Sequence, residues 1–200
     1  MEIQKLDLTR HDTLKVSELI YETDTDLFDF FFRDKENAAK KIEKLVRAGN
    51  NGLSFERIIV VTENNEEVQG VLVYSCGDEA KKMDEFKVLR KNLNLWDVLK
   101  FTIMEWWDSH FLADLNEEDF YLACVAVDEK ARGKGIGTFI LKNAIEIARK
   151  HGFKRAVLDV DLDNKGAYRL YKRMGFKVFN KNAIPWIGGE KGALNMQFLI

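Results

Sequence analysis

Three alternating glycines, Gly133, Gly135 and Gly137, constrain the fold of this chain more than any other feature. They follow an apolar run rich in β-branched residues, 121–127, which has the length and composition of a strand. Behind them, apolar residues recur at spacings of three and four as far as Gly152, which predicts an amphipathic helix with a glycine cap. The glycines therefore lie in a turn that leads a strand directly into the first turn of a helix.

A turn in this position can bind an anion. The first turn of a helix leaves backbone N–H groups unpaired and carries partial positive charge, and glycines let the backbone approach phosphate oxygens closely. A flexible, solvated turn is the alternative that the glycines alone leave open. We predict a pyrophosphate site whose backbone and basic side chains come from seven consecutive residues: Arg132, Gly133, Lys134, Gly135, Ile136, Gly137 and Thr138.

Two common phosphate motifs do not fit these glycines. A P-loop needs two glycines separated by four residues and then Lys followed by Ser or Thr, whereas Gly137 is followed directly by Thr138. The dinucleotide fingerprint Gly-x-Gly-x-x-Gly also fails, because the third glycine comes one position early. The turn therefore predicts a phosphate site of another type.

A second motif follows the next strand. Residues 155–161 have the pattern of a strand, and Asp163 is the predicted N-cap of the helix behind it. Residues 164–176 then read Asn-x-x-Ala-x-x-Leu-Tyr-x-x-x-Gly-Phe. Together with the earlier Arg-x-Gly-x-Gly, this ordered set resembles the GNAT superfamily of acetyl-CoA-dependent N-acetyltransferases, closely over residues 120–179 and loosely elsewhere.

The resemblance implies an α/β fold with a mixed, partly splayed central β-sheet and helices on both faces. We expect one N-acetyltransferase domain over residues 1–200. Ahead of the glycine turn, the patterns predict a strand, two helices and two strands, in the family's order: 3–8, 12–23, 35–48, 57–62 and 68–74. A hairpin through residues 64–66 is predicted to join the last two, and the final strand, 193–200, is predicted to follow a loop marked by Pro185.

Residues 84–115 depart from the minimal family pattern. They carry an apolar stripe at helical spacing, so we predict an insertion of one or two helices. The stripe is predicted to pack against the domain, and a homodimer contact or a wall of the acceptor pocket are the alternatives. Its members are Trp96, Leu99, Ile103 and Trp106.

Composition excludes several classes of function. A net charge of −2 gives no general attraction to nucleic acid or to an anionic membrane surface. No run approaches the roughly 20 apolar residues of a membrane helix, and the N-terminus does not resemble a signal peptide. Cys76 and Cys124 are isolated, which favours reduced thiols in a cytoplasmic protein, and no motif predicts a metal site.

The resemblance also assigns roles in the chemistry. Main-chain groups of Val125 and Val127 would bind the pantetheine arm and thioester, and backbone N–H groups of residues 133–138 the pyrophosphate. Tyr171 matches the tyrosine that protonates the departing CoA thiolate, with Tyr168 as the fallback and a packing tyrosine as the alternative. Asn164 matches the residue that hydrogen-bonds pantetheine, although its position at a helix start also suits a cap.

The general base is the least defined of these roles. An alkylamine with a pKa of about 10 is charged at neutral pH and must lose a proton before it attacks the thioester. Counting back from the glycine turn, Asp119 falls where related histone acetyltransferases carry a catalytic glutamate, and Glu118 and Tyr121 are close enough to compete. An acidic set near the N-terminus could instead attract a cationic acceptor: Asp24, Asp26 and Asp29.

We therefore expect an enzyme that moves an acetyl group from acetyl-CoA directly to a primary amine, without a covalent intermediate. The acceptor could be a small amine, a protein N-terminus or a lysine side chain. A non-catalytic domain that binds acyl-CoA is the alternative from a different functional class.

Overall fold

The structure, a computed structural model, describes residues 1–63, 67–76, 82–186 and 189–200. One mixed sheet of seven strands runs through these residues: β1 (Glu2–Lys5), β2 (Ile58–Glu63), β3 (Glu67–Cys76), β4 (Asp119–Val127), β5 (Arg155–Asp161), β6 (Lys177–Trp186) and β7 (Gly189–Leu199). Their order is β1-β2-β3-β4-β5-β7-β6, and of the neighbouring pairs only β4 and β5 are parallel. The predicted hairpin turn at 64–66 lies outside the described residues.

Helices cover both faces of the sheet: α1 (Thr13–Tyr21), α2 (Thr25–Phe32), α3 (Lys35–Ala48), α4 (Lys82–Asn92), α5 (Leu95–Asp108), α6 (Ile136–Lys150) and α7 (Lys165–Arg173). Aspartates begin the first three, because Asp12, Asp24 and Asp34 each accept a hydrogen bond from the backbone N–H three residues on. Within the described part of the chain, no helix has the length and apolar character needed to cross a membrane.

Two apolar clusters hold the layers together. Residues of α1 to α5 pack on one face of the sheet, and residues of α6 and α7 pack on the other. Phe120 and Ile140 are fully buried in the second cluster, and burial of a side chain of this size contributes about 1.5–3 kcal/mol. The predicted α/β fold, with a mixed sheet between helical layers, is confirmed.

The sheet extends further at its end than the sequence patterns predict. Pro185 lies in β6, opposite Glu190 of β7, so the prediction that it marks a loop is wrong. Residues 187–188 of the predicted loop lie outside the described residues. The last strand begins at Gly189 and not at Ala193. Proline is tolerated here because β6 is the edge strand of the sheet. On the open side of an edge strand, a residue without an N–H breaks no hydrogen bond to a neighbouring strand.

The inserted segment forms two helices, α4 and α5, but the predicted stripe does not pack against the domain. Trp96 and Trp106 are 74% and 62% exposed, and the two other stripe residues are exposed as well. The buried side of α5 carries Val98, Phe101 and Met104. Both sides of the helix are apolar, so spacing alone could not identify the inward one, and the prediction is wrong on that point.

Candidate active site

The site begins where β4 and β5 separate. Their parallel pairing joins Asp119–Tyr121 to Arg155–Val157 and goes no further. Beyond it, both strands line a cavity of about 1280 Å³. The register between β3 and β4 shifts at the same level, which leaves Ala123 without a partner on β3. A bulge of this kind bends a strand and increases its twist, and no residue type in the sequence marks it.

The glycine turn lies at the mouth of this cavity. Gly133 and Gly135 have φ angles of 81° and 83°, in the left-handed region. A Cβ atom at either position would meet no atom within 4 Å, so backbone conformation and not space requires glycine there. Gly135 is the N-cap of α6 and supplies no side-chain cap, which leaves the N–H groups of the first turn available to a ligand.

Gly137 has a different role from its two neighbours. It lies within α6, where a Cβ would come within 3.0 Å of Leu170 Cδ2 on α7. Glycine here lets α6 and α7 approach each other closely. Of the seven predicted turn residues, six line the cavity and Lys134 does not. The six are Arg132, Gly133, Gly135, Ile136, Gly137 and Thr138.

Arg132 connects the turn to the N-terminal helices. Its Nε donates to the Val127 carbonyl at 3.2 Å, and its Nη2 lies 3.4 Å from Glu22 Oε2. Lys15 of α1 pairs with Asp128 just beyond β4. Val125 and Val127 both line the cavity. The carbonyl of Val127 is therefore already engaged by Arg132, and the binding of pantetheine by Val125 and Val127 stays a prediction.

Tyr171 lies inside the cavity wall and is only 6% exposed. Burial raises the pKa of its phenol, and the neighbouring Cys124 and Asp161 add to the shift, so the hydroxyl remains protonated at neutral pH. Tyr168, the fallback donor, does not line this cavity, and its ring lies 6.0 Å from the Lys172 ammonium. The structure thus separates the two tyrosines by position.

Asn164 also lines the cavity, and it is the residue that begins α7. Its Oδ1 accepts a hydrogen bond from the Ala167 N–H at 3.0 Å. The prediction of Asp163 as the N-cap is therefore wrong by one residue, because both side chains are suitable caps and only the backbone path selects between them.

Asp119, the predicted base, lies outside the cavity. Its two oxygens accept hydrogen bonds from Arg155 Nε and Nη2 at 2.6 and 2.8 Å, and Oδ2 also accepts one from the Asn116 N–H. The carboxylate is fully buried, so this bidentate pair is a structural element at the start of β4. Glu118 is exposed outside the cavity, and the geometry argues against either residue as the base.

A network centred on Asp159 closes the inner wall. Its Oδ2 accepts from the Tyr121 hydroxyl at 2.8 Å and from the Ala113 N–H at 3.3 Å, and its Oδ1 accepts from Asn195. These bonds fix the end of the inserted segment against β5 and β7, and they occupy Tyr121, the other competitor for the role of base. Sequence patterns missed this network because its members are far apart in the chain.

Carboxylates concentrate in the cavity. Burial raises the pKa of Asp161 to about 6 and that of Glu105 to about 7, and it also raises the pKa of Asp24. From the acidic set near the N-terminus, only Asp24 lines the cavity, whereas Asp29 accepts a hydrogen bond from the Tyr21 hydroxyl at 2.7 Å. Among the described residues, no group of three or more acidic, His or Cys side chains could hold a metal ion.

A gap in a mixed sheet, a left-handed glycine turn and a buried tyrosine thus meet at one cavity. The model of the acetyltransferase (GNAT) family matches residues 20–176, and the chain therefore belongs to this family.

The two curated relatives with the highest identity match only a short segment of the chain. An uncharacterized N-acetyltransferase of Methanocaldococcus jannaschii is 47% identical over 53 residues, which is 26% of this chain and 24% of the relative. N-alpha-acetyltransferase 30 of Xenopus laevis is 43% identical over 56 residues, which is 28% of this chain and 20% of the relative. Each match thus spans about a quarter or less of the relative's length.

Solved structures agree with the fold over nearly the whole chain. An N-acetyltransferase from Staphylococcus aureus Mu50 superimposes with a TM-score of 0.69 at 20% identity, covering 98% of this chain and 100% of the other. A Bacillus subtilis acetyltransferase in complex with CoA gives a TM-score of 0.56 at 14% identity, with 100% and 98% covered. At these identities, the likeness shows the fold alone.

Proposed function

We propose that this protein transfers an acetyl group from acetyl-CoA directly to a primary amine. One observation carries the proposal: the glycine turn, which follows β4, and Tyr171, on the helix that follows β5, line the same cavity. A diphosphate bound at the turn would direct its pantetheine arm along that gap. The thioester would then lie near Tyr171, where a proton donor is needed.

Most of the groups that would bind coenzyme A belong to the backbone. N–H groups of residues 133–138 would bind the pyrophosphate, with the positive charge of Arg132 beside them. Main-chain groups of Val125 would hold the amide units of pantetheine, since β4 has lost its neighbour at this point. Asn164 lies across the gap, where its amide could bind the arm while it caps α7.

The reaction needs three further contributions from the protein. The acceptor nitrogen must be neutral when it attacks, the carbonyl oxygen needs a backbone N–H as its negative charge develops, and the sulfur needs a proton as it leaves. We assign the last of these to Tyr171, whose hydroxyl is protonated at neutral pH and which lines the cavity. Acetyl-CoA supplies the activated acyl group.

The acceptor we favour carries positive charge, because the cavity is lined with carboxylates of raised pKa. The similarity to N-alpha-acetyltransferase 30 makes a protein α-amino group the first acceptor to test, and a polyamine the second. The single domain over residues 1–200, a homodimer and the cytoplasmic location stay predictions.

A panel of acceptors tests this function. Purified protein is incubated with acetyl-CoA and peptides with free N-termini, a lysine peptide with a blocked N-terminus, spermidine and an aminoglycoside. We expect CoA release with at least one, and a mass gain of one acetyl group on the product. Binding of CoA without turnover of any amine would instead identify a non-catalytic acyl-CoA-binding domain.

A further inference from the structure

Six carboxylates from the described part of the chain line the cavity, and most of them bond to other groups of the protein. Glu22 pairs with Lys35 and Arg132. The others bond backbone or side-chain donors at the cavity edge: Asp24 with the Leu27 N–H, Glu85 with the Gly52 N–H, and Asp159 with Tyr121, Asn195 and the Ala113 N–H. Each such bond favours the charged form of the carboxylate and lowers its pKa.

Asp161 and Glu105 are the two exceptions. Within the ranges that the structure describes, no donor forms a hydrogen bond or a contact ion pair with either carboxylate. Glu105 lies on the inserted helix α5, and the charge that acts on it is that of Glu85 on α4. Asp161 lies at the end of β5, four residues beyond Val157, where pairing with β4 ceases, and its side chain is exposed to the gap.

The position of Asp161 relative to Tyr171 distinguishes it further. Both line the gap, one from β5 and the other from the helix that follows, and the Asp161 charge is close enough to act on the phenol. Asp119, in contrast, is at the paired end of the same strands and fully bonded to Arg155. One aspartate at the open end of the gap is thus free to accept a proton.

We propose that Asp161 is the general base that takes the proton from the acceptor ammonium, either directly or through one water. This assignment rests on the proposed function. It places the base and the acid, Tyr171, on consecutive elements at one side of the gap.

The proton transfers balance with these two residues. The Asp161 carboxylate takes one proton from the ammonium, and the nitrogen lone pair then forms the C–N bond at the thioester carbon. As the C–S bond breaks, the sulfur takes the Tyr171 proton, and the phenolate takes the second proton from the acylated nitrogen. Asp161 finally releases its proton to water, which leaves an amide, CoA thiol and one H⁺.

The electrostatic environment suits this sequence. Burial among the atoms around the gap is the largest cause that raises the pKa of Asp161. The charges of Asp24, Asp163 and Asp26 add to the shift and Lys191 opposes it, which gives a pKa of about 6. A base with a pKa near the working pH is effective in proton transfer. Once Asp161 is protonated, its charge no longer raises the pKa of Tyr171, so the first transfer makes the acid a better donor for the last one.

The test is Asp161→Asn, assayed with whichever probe of the acceptor panel is acetylated, a free-N-terminus peptide or spermidine. We expect kcat to fall on the order of 10²–10⁴-fold, with the affinity for CoA in calorimetry unchanged. The limb near pH 6 in the kcat/KM profile should disappear. The deficit should shrink toward pH 10, where the amine begins to lose its proton without help.

Asp163→Asn is the matched control. It removes the same charge two residues further along the chain, and the Asp163 side chain does not line the cavity. This variant should stay within about threefold of the unmodified enzyme at pH 7.5 and above, while the limb near pH 6 moves to lower pH because Asp163 no longer raises the pKa of Asp161. Turnover of Asp161→Asn at the control rate, or a deficit that is constant from pH 6 to pH 10, would overturn the assignment of Asp161. Absence of CoA binding in the unmodified protein would instead overturn the proposed function.

Discussion

The two ends of the β4–β5 pair use the same residue type in opposite ways. At the paired end, Asp119 is fully buried and bonded to Arg155 through both oxygens. At the open end, Asp161 is exposed to the gap, and no described side chain bonds to it. The bonds to Asp119 hold the two strands together, whereas Asp161 has no such bonds and is available for chemistry.

The largest expected effect lies at the open end. Tyr171→Phe removes the proposed proton donor without changing the ring that packs against Phe176. We expect turnover to fall on the order of 10²–10⁴-fold, with CoA affinity nearly intact. Tyr168→Phe, one turn earlier and outside the cavity, is the control and should retain normal turnover. Equal rates for the Tyr171 variant and the unmodified enzyme would remove the tyrosine from the mechanism.

At the paired end, the expected effect is on stability. Asp119→Asn leaves the Arg155 guanidinium without its charged partner. The free energy of unfolding should fall by about 3 kcal/mol, the low end for a broken buried pair, since Arg155 is partly exposed. Denaturant unfolding measures this, and folded enzyme should keep its turnover. Restored stability in the double variant with Arg155→Gln would show that the loss comes from the unpaired guanidinium. A stable Asp119→Asn protein with lost turnover would instead mean that Asp119, and not Asp161, is the catalytic aspartate.

The glycine turn gives a smaller, separable effect. Gly135→Val should weaken CoA binding by about tenfold or more in calorimetry, because a left-handed φ costs a non-glycine residue roughly 1–2 kcal/mol and distorts the turn. Gly152→Val is the matched control: its φ is also left-handed and its surroundings are open, but it lies at the far end of α6. Both variants should lose similar stability. Equal CoA affinities would argue against the turn as the phosphate site.

The smallest effect is a gain in stability at the open end. The pKa of Asp161 rises from 3.8 to about 6 on folding, so the folded state binds a proton more tightly than the unfolded state. Stability therefore falls as pH rises from about 4 to 6. Asp161→Asn should raise the melting temperature slightly at pH 7.5 and not at pH 4. A lower melting temperature at pH 7.5 would mean that Asp161 holds the fold together as Asp119 does.

The sequence predicts one half of this comparison better than the other. The glycine turn and Tyr171 belong to short local patterns, so their elements were predictable. The bonds of Asp119, the bulge at Ala123 and the exposure of Asp161 depend on which strands become neighbours, and no local pattern records that. The inward face of α5 was mispredicted for the same reason: both faces are apolar, and only packing against the sheet selects Phe101.

Backbone amide resonances during a titration with coenzyme A test the central claim most directly. The account predicts that the largest shifts fall on residues 133–138, and that pantetheine, which lacks the diphosphate, leaves those amides almost unmoved while it shifts residues of β4 beside the gap. Saturation with coenzyme A that leaves the amides of 133–138 unchanged would contradict it.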